Sequence, residues 1–139
     1  MKIELHSEDE RGNIVRLLKP VKIRFREKTF IVHAGFECDG VSVPRPAWPL
    51  VSPQIDPRSL RAGIAHDYIY RVQPEGWTRA EADLMFLCFL IEDGLAVPRA
   101  LTAYVAVRVC GWKAWNDNRK LLEGALWNQP LKRSRSCLR

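Results

Sequence analysis

Between residues 39 and 57 the chain changes its hydrophobic period, and that change fixes the order in which secondary structure is laid down. Upstream, Val21-Lys22-Ile23-Arg24-Phe25 alternates apolar and basic side chains with period two, as a half-buried strand does. Ile14-Val15-Arg16-Leu17-Leu18 precedes it and ends at Pro20. Thr29-Phe30-Ile31-Val32-His33 follows a short charged turn, and Phe36 and Cys38 continue an extended segment. The expected product is an antiparallel meander with one wet face. The stretch Asp39-Gly40-Val41-Ser42-Val43-Pro44-Arg45-Pro46-Ala47-Trp48-Pro49 carries three prolines and a glycine, and Pro53 and Pro57 follow. Proline removes a backbone donor and fixes φ, so this segment is a loop and not a helix or a central strand.

Downstream the apolar period is helical. Asp56-Pro57 is a start signal, with Asp as N-cap and Pro at the first helical position, and it predicts a helix to about Val72. Gln73-Pro74-Glu75-Gly76 breaks that helix. Thr78-Arg79-Ala80-Glu81 is a capping box opening a second helix that ends at the C-cap glycine Gly94. Pro98 opens a third helix to about Trp115, and a short fourth is expected around residues 121–127. Strands come first and helices follow, which makes the fold α+β: a β meander, a Pro-rich loop, then three to four helices including an antiparallel pair.

At 139 residues the chain has the length of one ordinary domain. Residues 1–130 are expected to form it. Residues 131–139 are a basic tail containing Lys132, Arg133, Arg135 and Arg139 and no acid. That tail carries +4 of the net +6, so the domain itself is close to neutral. A tail of this kind suits contact with nucleic acid, an acidic membrane or an acidic partner, or simply solvation; no other feature points to nucleic acid. The longest apolar run, residues 84–91, is about half a membrane span, so no transmembrane segment is expected. Met1-Lys2-Ile3-Glu4 has no apolar core of a signal peptide. Cys38, Cys88, Cys110 and Cys137 form no C-x-x-C pair and read as reduced thiols. The five tryptophans (Trp48, Trp77, Trp112, Trp115 and Trp127) read as core and interface anchors, and His6 and His33 as surface residues.

Gly63, His66, Asp67 and Tyr70 share one face of the first predicted helix, being spaced i, i+3, i+4, i+7. A glycine inside a helix costs about 1 kcal/mol relative to alanine, which makes sense where another backbone passes close. On the second helix, Asp83 has Phe86, Leu87 and Leu90 at its same-face positions, so its carboxylate is directed to the core and needs a partner. Two helices joined by a short turn pack antiparallel, which brings Asp83 to the His66 region. A carboxylate on one imidazole nitrogen sets the tautomer and leaves the other nitrogen as a base. Asp39-Gly40-Val41-Ser42 offers loop carbonyls for a cation or amides for an oxyanion. These residues compose a candidate hydrolytic site. His66 is the base, Asp83 orients it and Tyr70 gives a supporting hydroxyl; Asp67 holds a metal or orients the loop, and Ser42, Arg45 and Gly63 support. A second reading of the same spacing makes His66 a core histidine bonded to Asp83 for structure alone, with Asp67 pairing Arg45 or Arg71.

Three segments in this order carry a family resemblance: Gly35-Phe36-Glu37-Cys38-Asp39-Gly40-Val41-Ser42-Val43-Pro44-Arg45, Ala65-His66-Asp67-Tyr68-Ile69-Tyr70-Arg71, and Thr78-Arg79-Ala80-Glu81-Ala82-Asp83-Leu84-Met85-Phe86. They resemble the domain of unknown function 1353, a family seen widely in tailed bacteriophages and prophages, over residues 15 to about 115. The resemblance implies a phage origin, with genes often near tail or lysis functions. More distantly, His-Asp-x-x-Tyr on one helix and Ala-Asp-x-x-Phe on the next are similar to the phospholipases that use a His-Asp dyad with calcium. In those the His activates water, the following Asp binds calcium with loop carbonyls, and an Asp on the next helix holds the His. The resemblance places these roles on His66, Asp67 and Asp83, with Asp39-Gly40 in the calcium loop. Here the loop is Pro-rich, not Gly-rich, and the disulfides of the secreted members have no counterpart.

Two functions of different class follow as expectations. One is a phage-encoded esterase, lipase or amidase acting on the host envelope in entry or lysis, made in the host cytoplasm. The other is a non-catalytic virion or tail component touching other virion proteins. A phage regulator binding a host factor is a third.

Overall fold

The computed structural model describes residues 2–6, 14–38 and 57–127. The order is β1 (Ile3–His6), β2 (Ile14–Leu17), β3 (Val21–Phe25), β4 (Lys28–Val32), β5 (Glu37–Cys38), α1 (Pro57–Val72), α2 (Arg79–Glu92) and α3 (Val97–Trp127). Strands precede helices, so the fold is α+β.

The antiparallel strands are divided between two sheets. β1, β2 and β5 form one, with β2 central, and β3 and β4 form a hairpin. The alternation decides the hairpin register: Ile23 pairs with Phe30 and Val21 with Val32. Ile23, Phe30 and Val32 are buried while Lys22, Arg24, Thr29 and Ile31 face outward. The chain returns from the hairpin to β2 through Gly35, at φ 85°, whose amide donates to the Leu17 carbonyl at 2.7 Å. β1 occupies a stretch too short for its alternation to declare a strand.

Phe25 and Phe30 carry the hairpin onto the helices. Phe30 stacks on Tyr68 of α1 at 5.4 Å between centroids and meets Trp77 edge-on, and Phe25 meets Phe89 of α2 edge-on. β5 is tied to α1 by Arg71, which donates to the Glu37 carbonyl at 2.6 Å and lies over the Phe36 ring.

α1 begins at Pro57 and ends at Val72, as the start and break signals require. Gln73 adopts a left-handed φ of 44° and Pro74 prevents continuation. The capping box of α2 is formed in both directions, with the Glu81 amide donating to Thr78 and the Glu81 carboxylate accepting from the Thr78 amide. α1 and α2 run antiparallel: Arg61 near the start of α1 holds Glu92 and Asp93 at the end of α2, while Tyr70 near the end of α1 meets Asp83 near the start of α2.

α3 is one helix of 31 residues, about 46 Å long at 1.5 Å per residue. The expected break between residues 115 and 121 is absent. That interval holds no Gly or Pro; Asn116, Asp117 and Asn118 disfavour a helix by well under 1 kcal/mol each, and the Lys113–Asp117 pair at 2.9 Å adds back part of it.

Candidate functional site

Asp83 is fully buried, and four groups converge on its carboxylate. On Oδ1 it accepts from His66 Nε2 at 2.8 Å and from the Tyr70 hydroxyl at 2.6 Å. On Oδ2 it accepts from Arg108 of α3 at 2.8 Å, and Arg79, one helical turn back on α2, pairs with it at 3.5 Å. Arg79 also donates to the carbonyls of Val107 and Arg108, so it clamps α2 to α3 beside the cluster.

The electrostatics follow from these contacts. Burial alone would raise the Asp83 carboxyl; the hydrogen bonds from His66, Tyr70 and Arg108 overcome it and hold the carboxyl below its ordinary value. Asp83 is therefore an anion, and an anionic acceptor requires that His66 donate from Nε2. That sets the tautomer and directs any basic lone pair to Nδ1, which has no hydrogen-bond partner among the described residues. Burial first, then the neighbouring Asp83 anion, pushes the Tyr70 phenol above its ordinary value, so Tyr70 stays a neutral donor. The His66 ring lies 4.1 Å from the Tyr70 ring and 5.0 Å from that of Phe86, which fixes its plane. At 7% exposure His66 is buried.

The Tyr70 hydroxyl lies against Gly111 of α3. A Cβ on Gly111 would lie 2.6 Å from the Tyr70 hydroxyl oxygen, so only glycine leaves room there. Trp115, the next turn of α3, closes on Tyr70 edge-on at 5.2 Å.

The structure thus brings together His66, Tyr70 and Asp83. Asp67 is buried beside His66, and Gly63 is buried one turn earlier on α1. Asp39, Gly40, Ser42 and Arg45 lie outside the described residues. Arg71, one of the two partners considered for Asp67, donates to β5 as described above. Arg79, Arg108 and Gly111 are the members that sequence reasoning missed. Arg79 had a signal, since it stands four residues before Asp83; Arg108 and Gly111 had none. A cavity of about 270 Å³ lined by Phe25, Arg26, Glu27, Lys28, Trp77 and Glu81 shares no residue with the cluster.

Calcium takes six to eight oxygen ligands. Among the described residues no group of three His, Cys, Asp or Glu side chains converges, and beside His66 the one carboxylate not already engaged with it is that of Asp67. The described residues alone do not fit a calcium site, and no chemical step is derived through one. Nor is any helix among them long and apolar enough to cross a membrane. The cysteines described, Cys38, Cys88 and Cys110, are free thiols.

The model of a family described as protein of unknown function DUF1353 matches residues 15–107, two thirds of the chain. The chain belongs to the DUF1353 family. The match takes in β2 to β5, α1, α2 and the first third of α3, and with them His66, Tyr70, Arg79 and Asp83; it stops one residue before Arg108. No curated protein and no solved structure matches this DUF1353 chain.

Proposed function

We propose that this DUF1353 protein is a phage-encoded hydrolase in which His66 and Asp83 form a general-base dyad. One observation carries the reading: His66 donates Nε2–H to a fully buried carboxylate that two arginines keep charged, so Nδ1 is the nitrogen left to accept a proton. In the step itself, Nδ1 takes a proton from water as the water oxygen attacks the carbonyl carbon of an ester or amide. The imidazolium formed is stabilised by Asp83, and it returns the proton to the leaving oxygen or nitrogen. The order of the dyad on two antiparallel helices, with Asp67 directly after His66, parallels the His-Asp phospholipases and supports a substrate in the host envelope. In this reading calcium, which the phospholipase resemblance implies, is a cofactor to be tested by direct titration. The protein is made in the host cytoplasm.

The test is hydrolysis of phosphatidylglycerol vesicles and of p-nitrophenyl esters, with and without calcium. Wild type is compared with His66→Gln and with Asp67→Asn, each with a thermal melt. The dyad reading expects His66→Gln to lose at least about a hundredfold in rate, the scale of general-base catalysis, while still melting cooperatively. A wild-type protein inert on the vesicles and on the p-nitrophenyl esters, with both variants merely lowering the melting temperature, rejects it.

A second reading, a non-catalytic virion or tail component, has its own supporting observation. Val97, Leu101, Val105, Val109 and Trp112 form an exposed apolar row on α3, of the kind an assembly surface needs.

A further inference from the structure

We infer that the exposed row on α3 is a self-complementary interface on which a second copy of this chain packs, α3 crossing α3 near Val105. The inference does not depend on the hydrolase reading.

Val97, Leu101, Val105 and Val109 are spaced by four, and Trp112 follows three residues later; each is between 46% and 63% exposed. Residues four apart on a helix form a single ridge. Two identical ridges interdigitate at a crossing angle of about −50°, the commonest class of helix packing. A two-fold axis at Val105 lays this ridge on itself and sets the Leu101 of each copy beside the Val109 of the other. Such an isologous contact closes at two copies without further growth.

Area and charge point to a second copy as the occupant. The exposures amount to a patch on the order of 500 Å², at the upper end of what a monomer normally shows. Two patches face to face bury at most about 1,000 Å², the threshold of a specific interface. Without its basic tail the domain is close to neutral, so its copies repel only weakly. The cations beside the row are held in ion pairs, Arg108 with Asp83 and Lys113 with Asp117. The five residues of the row carry no charge for a charged partner to pair with. Trp112 ends the row and supplies the large amphipathic side chain that anchors interfaces.

The experiment is sedimentation equilibrium of the full chain across the micromolar range, with circular dichroism melts. It compares wild type with Val105→Glu, the milder Val105→Ser and, as a control off the row, Leu121→Glu. Val105 and Leu121 are both exposed, so the substitutions leave the core intact. The expected result is a wild-type dimer whose dissociation constant rises at least about a hundredfold in Val105→Glu, because the axis sets two carboxylates together with no partner. Val105→Ser falls between, Leu121→Glu behaves as wild type, and all four melt alike at concentrations below the wild-type dissociation constant, where every chain is monomeric. A wild type that stays monomeric overturns the inference, as does a dimer that survives Val105→Glu or is lost equally in Leu121→Glu. Cosedimentation with phosphatidylglycerol vesicles is the second arm. A monomer that binds vesicles through the row, losing them in Val105→Glu, makes the occupant a lipid surface and also overturns it.

Discussion

Gly111 and Tyr70 are fitted to each other: the hydroxyl of Tyr70 occupies the space a Cβ on Gly111 would need, 2.6 Å away. The hydroxyl cannot retreat without leaving Asp83, to which it donates at 2.6 Å. In an exposed helix, Gly→Ala gains about 1 kcal/mol. Here overpacking and the broken hydrogen bond oppose that gain, each at about 1–3 kcal/mol. Gly111→Ala is therefore expected to destabilise by about 1–5 kcal/mol in urea unfolding. A variant more stable than wild type would show that Tyr70 has room to move.

Asp83 makes a prediction with a sign in pH. Its folded carboxyl lies below the ordinary value, near 3.9 in an unfolded chain. Its contribution is complete above that value and is lost as pH falls through the folded one. Asp83→Asn removes the anion and leaves Arg108 and Arg79 without their shared partner, so it should cost about 3–5 kcal/mol at pH 7. The acid limb of its stability curve should be shallower than that of wild type. Denaturation from pH 2 to pH 7 measures both.

Tyr70 carries the opposite sign. Its folded phenol is raised above 10, so its contribution is complete below pH 10 and is lost as pH rises beyond it. Tyr70→Phe should cost about 1.5–3 kcal/mol at pH 7, the scale of a hydrogen bond to a charged group. Above pH 10 wild type should fall toward the variant. Parallel curves up to pH 11 would contradict the assignment.

The capping box offers a local test. Glu81 is held down to about 2, by Lys28 first and then by the Thr78 amide. Removing the hydroxyl in Thr78→Ala should cost about 1 kcal/mol. Lys28→Met should cost less than about 1 kcal/mol, because the Lys28–Glu81 pair is more than a third exposed. It should also raise the Glu81 carboxyl toward 4.5, readable by carbon-detected NMR titration.

Much of the fold was legible in the sequence, and the legible parts share a cause. Pro57, the Thr78–Glu81 box, the Gln73–Gly76 break and the alternation of residues 21–25 act within a few residues of the chain. The pairing of His66 with Asp83 was also readable. It needed only two amphipathic helices and a turn too short for anything but an antiparallel return. α3 runs through 115–121, where a break was expected, because nothing there removes a hydrogen bond.

The sequence by itself determined α+β order, the α1 and α2 boundaries, and the placing of His66, Tyr70 and Asp83 on facing helices, because periodicity and capping are short-range physics. Only the tertiary structure decided that the strands divide into two sheets, that Arg108 crosses from α3 to keep Asp83 charged, and that Gly111 opens the space for Tyr70. Those contacts join residues 25 to 41 positions apart. No local rule links such positions; the packing of the third helix against the first two does.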